Sequence, residues 1–317
     1  MLHRTAALFL MLASAPALAA GVKVTPLGSQ QGEFCPKDRA MVFEDPKGTR
    51  ILYDPGMTVA GASDPRLGKI DVVLISHMHG DHVGSAHIKA PNAGCADTPQ
   101  MVSDVPETNA VAIALAKGAK IVTGSEMPAF FAAKLKAAGG DPRDSVLARF
   151  GASITVGGVK IATVPALHSN GVAPDLIGGE LGAQMKAAGI AGDVGPATGY
   201  VLTFSNGLVA YLSGDTGLSA EQKLVVHDHY HAKLAVMNIG DTYTTGPSEA
   251  AFVLNQWLEP TSVIPSHANE VATQGGKVVP GSKTARFMDA TNADTLLPLS
   301  GRTLTFDSKG NCTAGCQ

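Results

Sequence analysis

Apolar and polar positions follow two rhythms along this chain, one of period two and one near 3.6, and no linker separates them. Runs at 22–27, 39–44 and 49–53 read as short strands, the last two joined through the turn Pro46-Lys47-Gly48. The run 70–75 is apolar enough for a strand buried on both faces. Asp104 with Glu107 three residues on has the form of a capping box and predicts a helix over 105–117. A strand at 120–123 and a helix at 126–138, stopped by Gly139-Gly140, follow. Two hairpins come next: 153–156 with 159–164 about Gly157-Gly158, and 200–204 with 208–212 about Asn206-Gly207. Ser219 and Gln222 cap a helix to about His229, 233–237 is strand-like, 248–258 is a helix after Pro247, and 262–265 is a strand. Strands first, then strands mixed with helices, predict a layered α/β fold in one domain. The stretch 169–198, rich in Gly, Ala and Pro, reads as irregular and long enough to form a lid insertion.

Composition narrows the class. With 45% hydrophobic and 16% charged residues, the 317-residue chain has the make-up of a globular protein with a sizeable core. A net charge of −3 supplies no basic field, which argues against nucleic acid as a partner. His3-Arg4, the apolar run 6–13 and Ala17-Leu18-Ala19 form a secretory signal peptide, 1–20, cleaved after Ala19 or Ala20. Ser14 and Pro16 interrupt that run before the ~20 residues that a membrane span needs, so no stable anchor is expected. The expectation is a periplasmic or secreted protein with one domain over 21–317. In such a compartment Cys35, Cys95, Cys312 and Cys316 are an even set suited to pairing. Of three connectivities, Cys312–Cys316 and Cys35–Cys95 are favoured, each between loop-like stretches. A four-thiolate zinc site would want a C-x-x-C spacing that the chain lacks.

The chemistry concentrates at strand ends. The run 70–75 leads into His77-Met78-His79-Gly80-Asp81-His82, three histidines and an aspartate in six residues. The run 161–164 delivers His168, 208–212 delivers Asp215, and 262–264 delivers His267. Strands lying side by side would bring these ends to one rim, where layered α/β proteins place their sites. Five imidazoles and two carboxylates suit zinc, or another first-row divalent ion, better than calcium. His-x-His can place two imidazoles on one ion, and the Asp-His pair can face a second.

The series His-x-His-x-Asp-His, a strand-end histidine, Ser213-Gly214-Asp215-Thr216 and Pro265-Ser266-His267 resembles the metallo-β-lactamase fold superfamily, in order and spacing over nearly the whole chain. Ile51-Leu52-Tyr53-Asp54-Pro55, Gly199-Tyr200-Val201-Leu202 and Gly246-Pro247-Ser248-Glu249-Ala250-Ala251 resemble its ascorbate-6-phosphate-lactonase-like branch of metal-dependent hydrolases. The resemblance implies a four-layer αββα sandwich with a two-zinc site at one edge. His77, His79 and His168 would hold one ion, Asp81, His82 and His267 the other, and Asp215 would bridge them. Asp54 would orient a histidine from behind, and Asp81 would double as the proton acceptor for a metal-bridging hydroxide. True zinc β-lactamases carry a cysteine where this chain has Asp215, which disfavours β-lactams as the principal substrate. Diiron members lack the Asp-His ending, which favours hydrolysis over redox chemistry.

The implied activity is hydrolysis of an ester, lactone or related bond in a small molecule. Phosphodiester or promiscuous β-lactam hydrolysis, and a non-catalytic periplasmic metal-binding role, are the alternatives. Tyr243 and Thr244, with Thr245, follow a strand and are candidate substrate contacts. His227, His229 and His231 read as a solvated helical face, His87 as a structural residue at a helix start, and Ser213 and Ser266 as backbone partners rather than nucleophiles.

Overall fold

Strands come from the chain in three groups. The first six are β1 (Val22–Pro26), β2 (Met41–Glu44), β3 (Arg50–Tyr53), β4 (Val72–Leu74), β5 (Lys120–Thr123) and β6 (Ser145–Leu147). Seven more are β7 (Ser153–Val156), β8 (Val159–Ala166), β9 (Ala197–Thr203), β10 (Val209–Leu212), β11 (Leu234–Asn238), β12 (Ser262–Ser266) and β13 (Asp294–Thr295). The chain then returns with β14 (Leu304–Phe306) and β15 (Cys312–Ala314). One sheet runs β15-β14-β1-β2-β3-β4-β5-β6 and the other β13-β12-β11-β10-β9-β8-β7. This computed structural model describes residues 20–96, 99, 101–103 and 108–316, so the segment expected to be a signal peptide, up to Ala19, and the expected capping pair Asp104 and Glu107 lie outside the described residues.

Each half follows the same plan. Antiparallel pairs β1–β2 and β2–β3 give way to parallel β3–β4, β4–β5 and β5–β6. Antiparallel β7–β8, β8–β9 and β9–β10 likewise give way to parallel β10–β11, β11–β12 and β12–β13.

Alternation along each strand explains the layers. Phe43, Ile51, Tyr53, Val72 and Leu74 face the second sheet, meeting Ile161, Tyr200, Leu202, Leu212 and Val236 in the central core. Their neighbours Val42, Leu52, Val73 and Ile121 face outward, under α2 (Asn109–Lys117) and α3 (Met127–Ala137), after the single turn α1 (Gly80–Val83). On the second sheet Val201, Tyr211, Ala235 and Val263 face outward under later helices. Both faces of both sheets are therefore buried, which is why the strands read as continuous apolar runs. The architecture is a four-layer αββα sandwich. Among the described residues no helix is long and apolar enough to cross a membrane.

Several elements differ from expectation. The helix read at 105–117 starts only at Asn109, where the Thr108 hydroxyl accepts from Val111 N–H at 3.1 Å. The stretch 169–198 is not irregular: it contains α4 (Pro174–Ile177), α5 (Gly179–Ala188) and a ladder of Gly171–Val172 on Gly192–Asp193. Three of its seven glycines, Gly178, Gly179 and Gly189, sit at the ends of α5, which stops at Gly189 in the left-handed conformation (φ 69°). Val172 and Leu176 bury into the core below. The helices read at 219–229 and 248–258 widen into π-type turns over Gln222–His227 and Leu254–Leu258. Beyond 265 the sequence yielded no element, yet α6 (Pro247–Val253) is followed there by α7 (Lys283–Ala290) and five short strands. His87 lies in a two-residue strand, not at a helix start, and its Nδ1 donates to Ile88 O at 2.8 Å. Cys35–Cys95 and Cys312–Cys316 are both paired.

Candidate metal centre

The loop after β4 sets the geometry. His79 is extended (φ −67°, ψ 144°), and α1 then turns the chain, with His82 N–H and Val83 N–H donating to His79 O. One helical turn carries Asp81 and His82 to the far side of His77. Gly84, left-handed at φ 75°, ends the turn. From the second sheet, β8, β10 and β12 bring His168, Asp215 and His267 to the same edge.

Seven side chains converge. His77 Nε2 lies 3.0 Å from His79 Nδ1, and His168 Nε2 lies 3.3 Å from the same atom. Asp215 Oδ2 sits 3.9 Å from His77 Nε2, 3.8 Å from His168 Nε2, 3.4 Å from His82 Nε2 and 3.0 Å from His267 Nε2. Asp81 Oδ2 is 3.8 Å from His82 Nε2 and 3.4 Å from His267 Nε2. Three overlapping triads result: His77-His79-His168, His77-His82-Asp215 and Asp81-His82-His267. A tetrahedral ion with bonds of ~2.0–2.1 Å spaces its ligand atoms by roughly 3.3 Å, and the observed separations bracket that value.

Asp54, at the end of β3, is the hub beneath. Its Oδ1 accepts Ser76 N–H at 2.8 Å, and its Oδ2 accepts the Ser76 hydroxyl at 2.7 Å and His82 Nδ1–H at 2.8 Å. With its proton committed to Asp54, Ser76 Oγ accepts His77 Nδ1–H at 2.9 Å. One buried carboxylate thus fixes two tautomers, leaving Nε2 of His77 and of His82 as lone pairs aimed at the centre. His82 Nε2 and both ring nitrogens of His267 are buried without a hydrogen-bond partner. Buried lone pairs facing carboxylates are costly unless a cation lies between them.

The electrostatics agree. Burial works against ionising Asp215 and Asp81, yet His82 and His267 hold both carboxyls well below the usual range, with Arg39 adding to the effect on Asp81. Burial, with His82, His79 and His168, drives His77 well below its ordinary value. Burial would lower His82 too, but Asp215, Asp81 and Asp54 pull it far above. A proton there plays the part that a metal cation would take, so the donor set fits divalent ions.

Backbone strain clusters here as well: Asp54 (φ 40°), His267 (φ 54°) and Asn269 (φ 55°) are left-handed non-glycine residues. Gly240, at the end of β11, allows the close approach, since a Cβ there would meet His267 O at 2.2 Å.

A cavity of about 530 Å³ opens over His79, Asp81, His168, Asp215 and His267, walled by Lys37, Arg39, Ser169, Tyr243 and Asn269. Tyr243 is therefore at the site, whereas Thr244 turns its hydroxyl to Thr245 O at 3.2 Å and does not line the cavity. Thr245 is bonded to the Asn238 amide at 2.7 Å, and Ser213 Oγ lies 2.9 Å from Asn238 Oδ1. Of 169–198, Ser169 is the residue that lines the cavity. His227, His229 and His231 lie away from the centre, His227 against Asp228 at 2.7 Å. Sequence reasoning missed Arg39 and Asn269. The apolar pattern of 39–44 puts Arg39 in a strand; it precedes β2, and its Nε donates to Asp81 Oδ2 at 3.0 Å. The one signal for Asn269 was its place two residues beyond a strand-end ligand.

A beta-lactamase superfamily domain profile matches residues 38–267, a span that contains all seven ligand candidates. The chain belongs to that superfamily. It is 28% identical over 256 residues to a metal-dependent hydrolase of Koribacter versatilis, covering 80% of this chain and 89% of that one. A metal-dependent hydrolase of Methanopyrus kandleri is 31% identical over 222 residues, covering 69% and 76%. Among solved structures, Igni18, a metallo hydrolase from Ignicoccus hospitalis, superposes with TM-score 0.58 at 23% identity, covering 90% of this chain and 99% of that one. The shared fold is the metallo-β-lactamase sandwich.

Proposed function

We propose that this metal-dependent hydrolase of the beta-lactamase superfamily is an exported dizinc enzyme that cleaves ester or lactone bonds in small molecules. The observation that carries it is the set of three overlapping donor triads at the floor of an open cavity. His77, His79 and His168 would hold one ion, Asp81, His82 and His267 the other, and Asp215, within 3.0–3.9 Å of a nitrogen on each side, would touch both. Another first-row divalent ion would suit the same donors. Such a pair of ions, when bound, lowers the pKa of a shared water from ~15.7 towards ~7 and polarises the bond to be cut.

The chain's own residues supply the rest. Asp54 and Ser76 hold His77 and His82 in the tautomers that present lone pairs. Asp81 is the partly exposed carboxylate of the set, at the cavity floor, and is placed to take a proton from an attacking water. Tyr243, 72% exposed on the wall, offers a ring face and a hydroxyl to substrate. The stretches that resemble the ascorbate-6-phosphate-lactonase-like branch put lactones first. Phosphodiesters form a second reading, favoured by Lys37 and Arg39 on the same wall.

The purified mature chain should carry two equivalents of zinc and hydrolyse members of a lactone and ester panel. That activity should be lost in chelator and restored by metal. Phosphodiesters and β-lactams run alongside separate the readings. One equivalent or none with undiminished turnover would refute the dinuclear mechanism.

A further inference from the structure

Arg39 belongs to none of the donor triads, yet it bonds Asp81, a member of one, and Asn269, two residues beyond His267 of the same triad. It is almost fully buried at the cavity wall. Its Nε donates to Asp81 Oδ2 at 3.0 Å, its Nη2 to Asn269 Oδ1 at 2.8 Å, and its Nη1 to Pro36 O at 3.1 Å. Asp81 comes from the first sheet, whereas Asn269 stands two residues after His267 on the second. The guanidinium therefore spans the two sheets at the ligands Asp81 and His267.

We propose that Arg39 is a positioning residue for the ion held by Asp81, His82 and His267, clamping the Asp81 carboxylate and the loop of His267 in one geometry. The inference rests on the two-ion reading of the centre.

Two further observations support it. The loop after β12 is strained, with His267 and Asn269 both left-handed, and such conformations persist only where their surroundings hold them. Arg39 holds Asn269 from one side. Glu270 anchors the next residue from the other, accepting the N–H groups of Lys283 and Thr284 at 3.0 and 2.9 Å. Arg39 is itself on a firm mount. The neighbouring Asp38 carboxylate accepts Ser29 N–H at 2.8 Å and Cys35 N–H at 2.9 Å, and Cys35 is bonded to Cys95. A planar fork with several donors is needed to serve Asp81, Asn269 and Pro36 together, and lysine has none.

The test is titration of metal-free wild-type, Arg39→Lys, Arg39→Ala and Asn269→Ala proteins with Co²⁺, followed by calorimetry and visible absorption. In both Arg39 variants one equivalent should keep wild-type affinity. The other should weaken about 10–100-fold, the usual effect of losing a partner that orients a ligand, with a changed absorption spectrum. Asn269→Ala should shift the same equivalent in the same direction, by less. Two equivalents bound within twofold of wild type in the Arg39 variants would overturn the inference alone. If Arg39→Ala does not fold, Asn269→Ala decides, because it breaks the bridge without stranding a charge, and unchanged binding there overturns it. A wild-type chain that takes up a single equivalent overturns the two-ion reading and the inference with it.

Discussion

Replacing Asp54 by asparagine exchanges one oxygen for an amide nitrogen at the hub beneath two ligands. Ser76 N–H must still meet an acceptor, so the new carboxamide oxygen takes the place of Oδ1. The NH₂ group then faces Ser76 Oγ and His82 Nδ1, each of which donated to Oδ2 before. His82 must move its proton to Nε2. The Ser76 hydroxyl, now receiving, donates onward to His77 Nδ1, and His77 also moves its proton to Nε2. The number of hydrogen bonds is kept, and only their charge assistance is lost, so folding stability should fall by about 1–3 kcal/mol. Both imidazoles, however, would offer a proton where they offered a lone pair. With roughly 10–100-fold lost per misoriented ligand, zinc affinity across the centre should drop roughly 10²–10⁴-fold. Competition with a chromophoric chelator measures the affinity, and ¹⁵N shifts of His77, which is neutral in the metal-free protein, report its tautomer. Wild-type affinity together with an unchanged tautomer would refute the argument. Asp54→Ala makes the contrast: three buried donors lose their acceptor, and stability itself should fall by roughly 3–6 kcal/mol.

Other consequences can be checked separately. Asp81→Ala should cost several orders of magnitude in turnover while unfolding stays cooperative, and retained turnover would remove Asp81 from the mechanism. The Cys35–Cys95 bond closes a separation of 60 residues and Cys312–Cys316 one of 4. Serine pairs at the first should therefore lose about 4 kcal/mol and at the second about 2 kcal/mol by the loop-entropy relation, and urea unfolding giving the reverse order would contradict it. Burial pushes the Asp38 carboxyl up to about 6 against the lowering effect of Cys35 and Ser29 N–H. The folded state then holds more protons than the unfolded state between about pH 4 and pH 6, so this group's contribution to stability declines as pH rises through that window. The decline amounts to about 3 kcal/mol. The stability difference between wild type and Asp38→Asn, both in chelator, should change by most of that amount, about 2.4 kcal/mol, between pH 4 and pH 7, and a constant difference would rule it out.

The site was more legible than its surroundings, for a physical reason. Ligands are rare residue types crowded at strand ends, and buried strands announce themselves by unbroken apolar runs. His77 to His82, His168, Asp215 and His267 could therefore be picked out before any coordinates. Arg39 and Asn269 could not, because their importance lies in bonds to residues far along the chain, and nothing local marks it. The stretch 169–198 misled for the opposite reason. Glycine content reads as irregularity when summed over a window, whereas here much of it lies at the ends of a helix of good helix-formers, Glu180 to Ala188. The short strands after 265 escaped because two- and three-residue ladders carry no period to detect.

Each donor triad takes two residues from the first half of the chain and one from the second. Neither half can therefore assemble a complete set of ligands alone, however well it folds. Ion binding becomes a seam between two similarly built sheets, and its free energy counts only once they have docked in register. Stripping the ions should thus loosen this edge of the sandwich first. Amide exchange should quicken at the β4 and β12 ends while the ladder of β1 on β14 within the first sheet keeps its protection.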